Sequence, residues 1–103
     1  MDRIAMLNEI LAANPADALA RYGLAMEYAK AGEIEPALRE FQSLIEQNPD
    51  YTPAYFMAAQ TLATAHRVEE AKRWLVEGVS SARRTGNAHA QSEMTAMLEE
   101  LGN

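Results

Sequence analysis

Residues 14–49 read NPADALARYGLAMEYAKAGEIEPALREFQSLIEQNP, and this stretch decides the fold. It opens and closes on the same dipeptide: Asn14-Pro15 returns as Asn48-Pro49, 34 residues later. A residue that precedes proline is pushed out of the α region, so each pair ends a helix. Between the pairs lie two runs with apolar side chains at helical spacing, parted by Gly32. The spacing predicts helices over about Asp17–Ala31 and Glu33–Gln47. Pro36 falls in the first turn of the second, where its missing N–H costs nothing.

The same pattern extends to both sides. A helix is expected from about Asp2 to Ala13, with Ile4, Leu7, Ile10 and Leu11 on one face. Three more are expected over Thr52–His66, Val68–Arg84 and Asn87–Leu101. No segment alternates β-branched and polar residues with the period of a strand. The chain reads as all-α, with about six helices. Its 103 residues leave room for one small domain, 49% hydrophobic and 23% charged, and so globular in composition.

Self-comparison at the interval of the Asn-Pro pairs turns up further matches. Leu7, Phe41 and Leu75 form one series, and Leu11, Ile45 and Val79 another. Tyr22 pairs with Phe56, Ala37 with Ala71, and Ile34 with Val68. Matches at one offset are easy to find in a chain with 20 alanines, but these include aromatics and β-branched residues in a single register. A repeat of this length built from two antiparallel helices marks a solenoid.

The residues Leu24-Ala25, Tyr28, Gly32, Ala37, Phe41 and Pro49, followed by Tyr55, Ala58-Ala59, Leu62, Ala71 and Leu75, resemble the tetratricopeptide repeat (TPR) pattern. The small residues let two helices approach while the large ones fill the space between them. The resemblance implies a right-handed α-solenoid of antiparallel hairpins and a single domain over residues 1–103. Within it, 1–15 would be a half-repeat helix, 18–51 and 52–85 two repeats, and 86–103 a capping helix. There are departures: Arg21 stands where the family favours a large aromatic, His66 replaces a turn glycine, and Arg83 replaces a terminal proline.

Terminal units of a solenoid must differ from interior ones. In the last helix, Ala90, Met94, Met97, Leu98 and Leu101 form one apolar stripe, whereas His89, Ser92, Glu93 and Ala96 are mostly polar. Arg3 occupies the place of Ala37 and Ala71, where a close helix partner would exclude a long charged side chain. The first helix is therefore expected to be a true N-terminus, with Met6, Leu7 and Ile10 leaving apolar surface uncovered.

Composition narrows the function. The formal charge of -6 lacks the cationic footprint that nucleic acid or an anionic membrane demands. No apolar run approaches the ~20 residues of a membrane helix, and the absence of cysteine removes thiolate metal sites and cysteine nucleophiles. No nucleophile motif, zinc motif or phosphate loop is present, and the two histidines are distant in sequence. Glu33, Glu35, Glu69 and Glu70 near helix starts, and Arg83-Arg84 at a helix end, suit the helix dipole. No catalysis, cofactor or metal is expected, and the compartment is expected to be the cytoplasm.

The resemblance implies instead a concave groove lined by the first helix of each hairpin. Here that groove would hold Leu19, Tyr22, Met26 and Lys30, then Phe56, Gln60 and Thr64, and Ala90 with Met94 at the cap helix. Some relatives grip a C-terminal carboxylate with cations; the matching positions are Tyr22, Met26, Met57, Asn87 and Gln91, and the cations are missing. The expected partner is thus a helix or apolar peptide of another protein, with the chain acting as an adaptor or scaffold. The alternative is a self-associating unit, a homodimer through the groove or the first helix.

Overall fold

Three helices open on a capping side chain. In the computed structural model, which describes residues 2–102, Asp2 accepts the Ala5 N–H at 2.8 Å, Asp17 the Ala20 N–H at 3.0 Å and Asn87 the Ala90 N–H at 3.0 Å. Each bond satisfies a donor that the first turn leaves unpaired. The cap itself stays outside the helix, so α1 is Arg3–Ala13, α2 Ala18–Lys30 and α6 Ala88–Glu100, each starting one residue later than the spacing suggests. The others are α3 Ile34–Gln47, α4 Thr52–Thr64 and α5 Val68–Arg84. They lack a side-chain cap; Glu35, Glu69 and Glu70 lie in first turns, as does Pro53. No strand occurs among the described residues.

Three helix ends share one exit. Gly32, His66 and Gly86 take left-handed φ values of 77°, 63° and 67°. The following N–H groups of Glu33, Arg67 and Asn87 then reach back to the carbonyls of Tyr28, Leu62 and Ala82 at 2.9, 2.8 and 2.8 Å. This is the Schellman arrangement, for which glycine is the unstrained residue. It also explains why α4 stops at Thr64 and not at His66. His66→Gly is expected to raise stability by about 1 kcal/mol, since it removes the Cβ that the left-handed region penalises. Chemical denaturation checks this, and a loss of stability would show that the His66 side chain contributes more than its backbone costs.

The chain divides into two units, one ending at Asn48 and one beginning at Pro49. In the first, α1 and α3 both pack on α2. Leu7 and Leu11 of α1 meet Ala20 and Leu24 of α2, with Ile4 and Tyr28 half-buried beside them. Leu7 is thus part of the core and not of an uncovered face. Positions four apart on α1 share the side towards α2, which turns Met6 and Ile10 outwards at 41% and 39% exposure. Ala25, Ala37, Phe41 and Leu44 are wholly buried, and the Phe41 ring meets the Tyr22 ring edge-on at 6.4 Å.

In the second unit α5 packs on α4 and α6, and α4 also touches α6. Ala54, Ala58, Ala59, Leu62, Ala71, Leu75 and Ala82 are fully buried. Thr52 and Ser81 hydroxyls meet at 2.9 Å, so a buried polar pair satisfies itself. Met94 of α6 is fully buried, Met97, Leu98 and Leu101 are half-buried, and His89, Ser92, Glu93 and Ala96 are exposed.

The departure at Arg21 has a structural answer. Tyr55 donates to the Pro49 carbonyl at 2.6 Å and packs on Trp74, ring centroids 6.1 Å apart. Arg21 donates to the Pro15 carbonyl at 3.1 Å and to Glu40 at 2.7 Å. Pro15, Arg21 and Glu40 lie one repeat before Pro49, Tyr55 and Trp74. An ion pair therefore stands where the next repeat has two aromatics, and the bond to the proline carbonyl is kept.

Candidate functional site

The residues expected to line a groove fall into two sets, one in each unit. On α2, Leu19, Tyr22, Met26 and Lys30 follow one another at spacings of 3, 4 and 4, which is one side of a helix. Leu19 is 73% exposed, far more than a core leucine. Tyr22 and Met26 are half-buried, the former through its contact with Phe41. Lys30 is exposed, its ammonium 3.8 Å from the Glu27 carboxylate. That carboxylate also accepts a 2.9 Å bond from Arg3, which holds it towards α1.

On α4, Phe56 and Met57 are half-buried while Gln60 and Thr64 are exposed. On α6, Ala90 and Gln91 are half-buried, and the Asn87 side chain is occupied as the helix cap. Met94 does not join this surface. It lies in the core against Gly78, where only the absence of a Cβ lets the two helices meet.

A hollow lies where no sequence pattern points to one. It measures about 520 Å³, is lined by Asp2, Arg3, Ile4, Glu27, Lys30 and Ala31, and opens widely to solvent. Arg3 and Lys30 both pair with Glu27 across it, so it presents no unbalanced charge. A pairing 24 residues apart has no periodic trace in a sequence.

The ionisable groups with displaced pKa values serve the scaffold. Arg67 grips Glu70 through two bonds of 2.7 and 2.9 Å and holds its carboxyl below the usual range. Arg84 binds Asp50 at 2.8 Å, a bond that raises its own pKa, and it reaches the Pro49 carbonyl at 3.4 Å. Burial pushes the Tyr55 phenol up. Among the described residues, no three His, Asp or Glu side chains converge as metal ligands would. No helix among them is long and apolar enough to cross a membrane.

Tyr55 gives a test on the alkaline side. The folded chain holds its proton more tightly than the unfolded one, so the associated stability is complete below the unfolded phenol value, about 10. It is lost as pH rises through the higher folded value. Tyr55→Phe is expected to cost about 1 kcal/mol near neutral pH, through the lost bond to Pro49, and to flatten the alkaline decline of the urea midpoint. An equally steep decline in the variant would mean that another group drives it.

Three helices in each unit, joined by Schellman turns at Gly32, His66 and Gly86 and by the break at Asn14-Pro15, with contacts repeating at a fixed interval, define a helical-hairpin repeat protein. Residues 4–58 and 28–92 match the tetratricopeptide repeat family model. The chain belongs to the tetratricopeptide repeat family. It is 30% identical to a TPR repeat-containing protein of Pseudomonas aeruginosa over 95 residues, 92% of this chain and 90% of that protein. A tetratricopeptide repeat domain protein from Salinibacter ruber, solved in solution, is 28% identical with a TM-score of 0.79, covering 86% of this chain and 90% of its own. The type III secretion translocator chaperone SycD of Yersinia enterocolitica shares the fold at a TM-score of 0.84, covering 95% of this chain and 68% of its own at 15% identity. The all-α, TPR-like fold class read from the sequence is the one these proteins hold. The family is in general a non-catalytic, protein-interaction fold, and the chain is a protein-interaction module in that general sense.

Proposed function

We propose that the chain is a non-catalytic adaptor, that the side of α2 carrying Leu19, Tyr22, Met26 and Lys30 receives an apolar peptide or helix of a partner protein, and that Phe56, Gln60 and Thr64 of α4 with Ala90 of α6 form a second such surface within the other unit. The observation that carries this reading is Leu19: a leucine 73% exposed at the start of the first helix of a repeat, on the same side as two half-buried apolar residues. Folding alone gives no reason for it, and aromatic and methionine side chains beside it suit an adaptable contact. No acid stands among the proposed residues, and the one charged group, the exposed Lys30 ammonium beside Glu27 at the end of α2, keeps its contact with water while an apolar partner covers the rest.

The homodimer alternative through the first helix draws less support. With Leu7 buried, the outward apolar surface of α1 reduces to Met6 and Ile10, well short of the roughly 1,200–2,000 Å² that stable interfaces bury in total. A cytoplasmic location belongs to the same proposal, because a chain without cysteine fits a reducing compartment.

The test is selection of binding peptides from a random library on the immobilised chain, followed by affinity measurements on variants. Leu19→Asp is expected to weaken the selected apolar peptides by tenfold or more, about 1.4 kcal/mol, with helicity unchanged. Val76→Asp, a change at an exposed valine on α5, is expected to leave binding intact. The reverse pattern would move the binding surface to α5 and overturn the proposal.

A further inference from the structure

We draw no further inference here: the strongest candidate, the outward face of α1 that carries Met6 and Ile10, is an unpartnered apolar helix face, and nothing in the structure shows what covers it.

Discussion

Phe41→Ala is expected to lower stability by about 3–5 kcal/mol. The ring is wholly buried between α2 and α3, with Ala25 and Ala37 also at zero exposure in the same unit. Small residues bring the two helices close, so there is little slack by which the unit could close a void left by an aromatic. Tyr22 would also lose the edge contact at 6.4 Å that fixes its ring. Domains of this size are stable by only about 5–15 kcal/mol, so this one substitution removes a large share. Urea unfolding followed by far-UV circular dichroism checks it. A midpoint within error of the parent would mean that Phe41 is not the centre of its unit.

Gly78→Val is expected to cost about 3 kcal/mol through overpacking. A Cβ at this position would overlap the Met94 sulfur and lie 2.7 Å from the Tyr55 Cβ. The sulfur ends a flexible side chain, but Met94 is fully buried and has nowhere to swing. The Tyr55 Cβ is next to backbone, so α5 would have to move away from α4. Gly78→Ala separates packing from propensity. Helix propensity alone favours alanine over glycine by about 1 kcal/mol, whereas the crowding predicts a net loss. A Met94→Ala change combined with Gly78→Ala should recover part of that loss, because one of the two obstacles is gone. Stabilisation by Gly78→Ala in the otherwise unchanged chain would contradict the tight α4–α5–α6 packing.

These two sites also show what a sequence reveals and what it hides. Phe41 was legible: its helical spacing, and its match to Leu7 and Leu75, mark it as core before any coordinates are known. The helix ends were legible too, because proline, glycine and asparagine act on their immediate neighbours. Gly78 carries no such local signal, since its reason lies 16 residues ahead in Met94 and 23 behind in Tyr55. Arg21 looked like a lost aromatic, and only the three-dimensional contact with Glu40 and Pro15 shows that it performs the same bonding. Periodicity also assigned Met6, Leu7 and Ile10 to one exposed patch, although neighbours on a helix differ by about 100° and only Leu7 turns inwards.

The candidate surface was legible to a similar depth. Spacing places Leu19, Tyr22, Met26 and Lys30 on one side of α2, but it carries no measure of exposure. Leu19 and Leu24 are both leucines of one helix, 73% and 1% exposed. That contrast arises from what α1 and α3 cover, and it singles out Leu19 in a way that composition does not.

The most direct test of the proposed role is a backbone amide shift titration of the isotope-labelled chain with a selected apolar peptide. The account expects the largest shifts at Leu19, Tyr22 and Met26 on α2 and at Phe56 and Gln60 on α4, with Val76 and the exposed side of α5 unmoved. Largest shifts on α5 or α3, with α2 and α4 silent, would contradict it.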